Sequence, residues 1–358
     1  METAPLPLTR PGSTLKTSSL DNTAKHIKGA GDNTYVTPAV SSFALTGRRV
    51  IVSLGGNAIL RRGDKGLIEE QSDNAGRACA FIAALAGKAL SVIVTHGNGP
   101  VVGNIVLRNE CARDTIAPMP LYICDADSEG GVGFIIQQAI YNQLQIIHKT
   151  GEVAAVITQV VVDADDPAFG APTKPIGPYY SEKEAAEIKR TRGWTMAKDA
   201  VSGVRRVVPS PRPKRVVEAS VIRRLADSGV IVIAAGGGGV PVVELEHGTL
   251  RGIDAVIDKD LATSLLAKET GAEMFINLTQ VDMAYKGFGK PGQEPLSRLD
   301  VKTARRLLDA GEFPAGSMGP KIQAAIEFIE AGGKEVLITS PERIAEALEG
   351  RAGTRIVP

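Results

Sequence analysis

Three stretches of this chain predict an α/β fold: a three-layer αβα sandwich with a mainly parallel central sheet and a small protruding subdomain. The first is Val50-Ile51-Val52-Ser53-Leu54-Gly55-Gly56-Asn57-Ala58, the second Val92-Ile93-Val94-Thr95-His96-Gly97-Asn98-Gly99-Pro100. The third runs from Val230 through Ile233 and Ala235 into Gly236-Gly237-Gly238-Gly239. In each, apolar β-favouring residues run straight into glycines, the pattern of a buried strand that ends abruptly. Glycines permit positive φ and let a ligand approach the backbone closely. Amides fanned at a strand end suit an anion, most often a phosphate. A lone Gly-Gly is an ordinary tight turn. Three repeats of one grammar point to a shared crevice at the carboxyl edge of a sheet.

The 358 residues suffice for one large or two medium domains. A net charge of +1 gives no electrostatic reason to expect nucleic acid, while a small acidic metabolite stays open. Cys79, Cys111 and Cys124 form no CxxC and are odd in number, as reduced thiols of a cytoplasmic protein are. His26, His96, His148 and His247 lack metal-ligand spacing, so no metal site is expected. No apolar run reaches membrane-spanning length, so no membrane partner is expected either.

Residues 1–47 are rich in Ser, Thr, Pro and Gly and are read as a flexible extension, or else as an organelle transit peptide. Arg48 to Leu54 is the first strand, Glu69 to Ala89 the crossover helix, Val92 to Thr95 the second strand. Helices are expected over Gly103 to Ala112 and Gly130 to Ile147, with one strand over Ala154 to Val162. The proline-dense stretch of about 163–213 interrupts the rhythm. It is read as an excursion over the crevice, with a short helix over Glu182 to Arg190 and an extended run from Arg205 to Pro211. The α/β alternation then resumes: helix Ala219 to Ser228, strand Val230 to Ala235, helix Leu261 to Thr270, strand Glu273 to Leu278. Helices Lys302 to Ala310 and Lys321 to Ala331 and the strand Val336 to Thr339 complete it. Two halves meet near residue 215.

The glycines match no dinucleotide fingerprint, since Gly97-Asn98-Gly99 is followed by Gly103, one residue too late. No P-loop is present. Phosphates therefore need a different cradle. Lys174 lies between prolines, Lys259 in Ile257-Asp258-Lys259-Asp260, and Lys321 after Gly316-Ser317-Met318-Gly319-Pro320. A single lysine is usually a solvated charge. Three in punctuated loops near one crevice fit phosphoryl transfer, which asks the protein for positioning and positive charge. Asp258 or Asp260 is expected to hold the lysines in place, or to cap the following helix.

At these residues the sequence resembles carbamate kinase, of the amino acid kinase fold. The resemblance runs from about Arg48 to Thr354. It is carried by Leu54 to Ala58, Thr95 to Pro100, Asp165 to Phe169, Pro172-Thr173-Lys174-Pro175-Ile176-Gly177-Pro178 and Arg205-Arg206-Val207-Val208-Pro209-Ser210-Pro211. Gly236 to Val243, Ala255 to Asp260 and Gly316 to Lys321 extend it. It implies reversible phosphoryl transfer between ATP and carbamate. Lys174, Lys259 and Lys321 match the lysines around the transferred group and Asp260 the aspartate that orders them. Gly55, Gly56 and Asn57 match the first phosphate loop, Gly97 and Asn98 the acceptor loop. Gly236, Gly237, Gly238 and Gly239 match the nucleotide-side loop, and Asp282, Tyr285 and Met318 fall in the adenine pocket. The resemblance divides the chain into an acceptor-side half, 48–214, and a nucleotide-binding half, 215–358. A homodimer and a Mg²⁺ carried by ATP or ADP are also implied. Carbamate is already an oxyanion, so no general base is needed, and His96 is expected to orient its turn. Two departures stand out: Val101 where the family usually has Gln, and Glu129 within Ser128-Glu129-Gly130, where it has Ser-Gln-Gly. A related small-acid kinase and a nucleotide-binding regulatory paralogue are the alternatives.

Overall fold

Val50, Ile51, Val52 and Leu54 are all buried, but in two different cores. Ile51 packs with Ile93, Val232, Phe275 and Ile338, whereas Val50, Val52 and Leu54 pack with Val92, Val94, Ile276 and Leu337. Successive strand residues point to opposite faces, and a strand covered on both faces belongs to a parallel α/β sheet. The computed structural model of the protein describes residues 45–358, without 62, 87, 88, 90, 199–202, 315 and the Asn57 side chain. Nearly all of the expected N-terminal extension lies outside the described residues.

Among the described residues the central sheet has eight strands. Across it run Arg298–Asp300 (β15), Thr354–Val357 (β17), Glu335–Thr339 (β16), Met274–Leu278 (β12), Arg49–Leu54 (β1), Ser91–His96 (β2), Ile231–Ile233 (β9) and Val153–Ala155 (β3). All pairings are parallel except that of β16 with β17. Ile68–Leu85 (α1), Leu121–Ile146 (α3) and Ile344–Leu348 (α9) supply buried residues to the core beneath Val50 and Val52. Ala219–Asp227 (α5), Lys259–Thr270 (α6), Val301–Asp309 (α7) and Met318–Glu330 (α8) supply the other. The chain thus leaves β1 toward one face and, after β12, builds α7 and α8 on the opposite face. Such a divergence opens a crevice at the carboxyl ends of the two strands. Phe275 meets Phe328 edge-on, centroids 5.9 Å apart, which pins α8 to β12. A pair of this kind adds about 0.5–1.5 kcal/mol beyond its buried area.

The expected strand Ala154 to Val162 is two strands. After β3 the chain turns and joins a second sheet, ordered Leu250–Gly252 (β11), Val240–Glu244 (β10), Gln159–Val162 (β4) and Pro213–Val216 (β8). Thr158 makes the break: its hydroxyl donates to Val156 O at 2.7 Å and accepts from the Ala235 amide at 2.9 Å. Helix Gly99–Ala112 (α2) starts earlier than Gly103 because Pro100 sits in its first turn, where its missing N–H costs nothing. α3 starts well before Gly130, running unbroken through Gly130 and Gly131.

The excursion forms a three-stranded antiparallel sheet, ordered Lys174–Tyr180 (β5), Val204–Val208 (β7) and Met196–Lys198 (β6). Its helix Glu182–Arg192 (α4) begins at a Ser181–Glu184 capping box and ends at Gly193, whose φ is 66°. β5 lies on α2 backbone to backbone: a Cβ on Gly103 would stand 2.0 Å from Gly177 N and Cα. The hairpin Ala284–Lys286 (β13) and Glu294–Leu296 (β14), the β10–β11 pair and β17 have no counterpart among the sequence expectations.

Candidate active site

The site is built at the first turn of α6. Asp258 caps it, accepting the amides of Asp260 and Leu261 at 2.9 and 3.3 Å. Lys259 and Asp260 follow as its first residues. Asp260 Oδ1 receives Lys259 Nζ at 2.7 Å and Asn277 Nδ2 at 2.8 Å, while Oδ2 receives Lys321 Nζ at 2.9 Å. Lys321 comes from the first turn of α8. The other partner of Lys259 is Ser53 Oγ at 2.6 Å, on β1. Lys174, at the start of β5, reaches Asp258 Oδ2 at 2.6 Å. Segments far apart in sequence therefore bring Lys174, Lys259 and Lys321 to one helix N-terminus.

An ammonium group has three donors. Among the described residues, Ser53 and Asp260 occupy two on Lys259, leaving one; Asp260 occupies one on Lys321 and Asp258 one on Lys174, leaving two on each. The lysines are held, but not saturated. Lys259, Lys321 and Asp260 are nearly buried, so their net positive charge is little screened. Burial pushes the Lys259 pKa down to about 8; the Asp260 charge opposes that shift and the Lys321 charge adds to it. Burial also works against ionised Asp260, but the two ammonium groups overcome it and hold the carboxyl far below its ordinary range.

Two glycine loops flank this cluster. A Cβ on Gly97 would lie 2.8 Å from Gly56 N and 3.3 Å from Lys259 Cδ, so the loops after β1 and β2 touch and the Lys259 stem runs beside them. Gly55 gives its N–H to Leu278 O, and Gly97 gives its own to Leu54 O. The amides of Gly56, Asn98 and Gly99 have no acceptor among the described residues. Free amides at the carboxyl edge of a parallel sheet are what an anion site needs. Asn57 takes part through the turn Gly56–Ala58; its side chain lies outside the described residues.

The acceptor loop is tied from below by α3. Asn98 is buried and its Nδ2 donates to Asp125 Oδ1 at 2.5 Å and Ser128 Oγ at 2.7 Å, so its amide faces the helix. Gly236 to Gly239, expected on the nucleotide side, follow β9 and lie against this same loop. A Cβ on Gly236 would strike His96 Nε2 at 2.3 Å, and one on Gly237, whose φ is 70°, Asn98 Nδ2 at 2.1 Å. No side chain fits there. Glu129 is buried, and accepts Gly236 N at 2.9 Å and Thr158 N at 3.1 Å. Burial raises its pKa well above the usual carboxyl value, with the two backbone donors working against that rise. Fully buried His96 is pushed down to about 4 by burial, so it is neutral, and its Nδ1 sits 3.3 Å from Gly97 O. Val101, in the first turn of α2, is half-buried and packs against the core beneath α1.

The remaining expected residues follow β12 and head α8. Asp282 accepts the Ser340 hydroxyl at 2.7 Å, joining the loops after β12 and β16. Tyr285, on β13, lies 6.0 Å from the Phe288 ring. Met318 opens α8 and packs on the core. These three are on the β12 side of β1, opposite the glycine quartet. Ser53 and Asn277 escaped the sequence reading because a polar residue inside an apolar strand carries no local sign of its partner. Ser53 and Asn277 occupy matching positions on paired strands, and that pairing is a tertiary fact.

A model of the amino acid kinase family matches residues 48–340. The carbamate kinase of Pyrococcus furiosus is 46% identical over 314 residues, covering 87% of this chain and 100% of its own. Carbamate kinase from Giardia lamblia bound to citric acid superposes with a TM-score of 0.82 at 41% identity, over 87% of this chain and 98% of its own. The same enzyme bound to AMP-PNP gives 0.79 at 42% identity, with the same coverage.

Proposed function

The chain belongs to the amino acid kinase family, among its carbamate kinases, and from that premise we propose that it moves a phosphoryl group reversibly between ATP and carbamate, giving ADP and carbamoyl phosphate. The observation that carries the mechanism is the Asp260 clamp on Lys259 and Lys321, at 2.7 and 2.9 Å. The transferred group carries its charge on equatorial oxygens, and fixed ammonium groups stabilise it without reorganising. Lys174 closes on the same group from β5. The touching Gly55-Gly56-Asn57 and Gly97-Asn98 loops present amides beside Lys259. Gly236 to Gly239 act through the loop they support. Asp282, Tyr285 and Met318 receive the nucleotide. Carbamate arrives as an anion, so neutral, buried His96 is not asked to be a base.

A Mg²⁺ carried by the nucleotide would neutralise charge on its phosphates. Among the described residues no group of three His, Cys, Asp or Glu stands together to hold an ion, and both Asp260 oxygens are engaged. The assignment is tested by ATP formation from ADP and carbamoyl phosphate. We expect Lys259→Ala to lower kcat at least about a hundredfold. Near-normal turnover by that variant would remove Lys259 from the mechanism; activity only with another small acyl phosphate would make the chain a related small-acid kinase.

The acceptor-side half is assigned to 48–214 and the nucleotide half to 215–358. A homodimer is the assembly that fits best, because α3 leaves Ile123, Phe134 and Tyr141 exposed beside exposed Ile157. Such an apolar stripe on a central helix suits a self-complementary face. Sedimentation checks it: Phe134→Asp should shift the protein toward monomer, and an unchanged mass would place any interface elsewhere. No helix among the described residues is long and apolar enough to cross a membrane. The three free cysteines favour the cytoplasm; fluorescence of the full chain tagged at its C-terminus would show an organelle instead.

A further inference from the structure

We propose that Asp258 is the positioning residue for Lys174: it docks the first strand of the excursion on the N-terminus of α6 and directs that lysine at the transferred phosphoryl group. The inference rests on the reading that Lys174 touches that group, and adds the residue that brings it there. The two oxygens of Asp258 do different things. Oδ1 accepts the Asp260 and Leu261 amides and closes the helix, while Oδ2 accepts Lys174 Nζ at 2.6 Å from 84 residues away. A cap alone needs only the first. Burial opposes the Asp258 charge, but the Lys174 ammonium group leads in overcoming it and the carboxyl stays below its ordinary range.

Lys174 needs such a partner more than Lys259 or Lys321 does. Those two project from helices packed into the core under the central sheet. Lys174 projects from β5, whose strand partner is β7 of the excursion and not a strand of the central sheet. Its long stem also carries considerable rotamer freedom. Left alone, its charge would be spread over the mouth of the crevice. Held by Asp258, it keeps two donors for phosphoryl oxygens and stands at the turn that carries Lys259. The two aspartates on either side of Lys259 thus divide the lysines: Asp260 takes Lys259 and Lys321, Asp258 takes Lys174.

The test is a double-mutant cycle on the full chain, with kcat and KM measured separately for ATP formation from ADP and carbamoyl phosphate. Asn caps a helix as well as Asp does, so Asp258→Asn keeps the cap and loses the charge. Should that variant fold poorly, Asp258→Ser keeps one capping oxygen and serves in its place. We expect Lys174→Ala to lower kcat about a hundredfold and Asp258→Asn about tenfold, with KM changed less than about threefold. The double variant should be no slower than Lys174→Ala within about threefold, since the second change removes a partner already idle. Additive losses, about a thousandfold together, would overturn the inference and leave the role of Lys174 standing. Full turnover by Asp258→Asn would do the same. Full turnover by Lys174→Ala would overturn the reading of Lys174, and the inference with it.

Discussion

Lys259 is the residue on which the proposed chemistry turns, and its burial has a consequence in pH. Its pKa is pushed down to about 8, from 10.5, chiefly by loss of water around the ammonium group. The charged form is the one that stabilises phosphoryl oxygens. kcat/KM should therefore be level through neutral pH and fall about tenfold per unit above pH 8. The sign for stability is opposite. Between about 8 and 10.5 the unfolded chain keeps a proton that the folded chain has lost, so this group alone makes folding more favourable as pH rises. Loss of activity in that window is then loss of charge and not unfolding. Thermal melts and initial rates at matched pH separate the two; a kcat/KM profile flat to pH 10 would contradict the placement of Lys259. Little of this was legible beforehand. The three lysines could be picked out, because loops punctuated by glycine and proline mark them; Asp260 was separated from Asp258 only by the resemblance. Their depth could not, since it depends on Ser53 and Asn277 meeting them across β1 and β12.

At the scale of elements, strands were the most legible feature and their joints the least. β1, β2 and β12 declare themselves because both faces are covered and each carries an unbroken run of three apolar residues. The early start of α3 was hidden by Gly130 and Gly131, which resemble a turn but sit inside a helix. There the cost of glycine, about 1 kcal/mol each, is outweighed by packing along α3. The Gly103–Gly177 contact is the joint with the clearest consequence. It seats β5, and with it Lys174, directly on α2. A Cβ added at Gly103 would stand 2.0 Å from backbone atoms that cannot rotate away. Gly103→Ala should therefore lift β5 off α2, lower kcat at least about tenfold and destabilise the fold by about 1–3 kcal/mol. Turnover and denaturant unfolding of the purified variant check both halves. Wild-type values in both would mean that the strand has room to move without disturbing Lys174.

For the whole molecule, the question is where the folded body begins. The sequence placed the boundary at Gly47, where Ser- and Pro-rich composition gives way to a strand. The first described residue, Leu45, is already fully buried in the core beneath Val50 and Val52. Arg48 then pairs with Glu335 at 2.9 Å, fastening the entry of β1 to β16. Composition hid this because a short apolar run, Phe43-Ala44-Leu45, ahead of a strand has no periodicity to reveal it. We expect removal of residues 1–44 to leave kcat/KM within about twofold and the unfolding midpoint within about 2 °C. Removal of four more residues deletes Leu45 and Arg48. Emptying a buried leucine site costs about 2–5 kcal/mol, so that chain should melt several degrees lower. Comparing the two truncations by calorimetry and by ATP formation is decisive in either direction. A longer truncation as stable as the shorter would show that Leu45 contributes nothing to the core. A shorter one that loses activity would give residues 1–44 a part in catalysis.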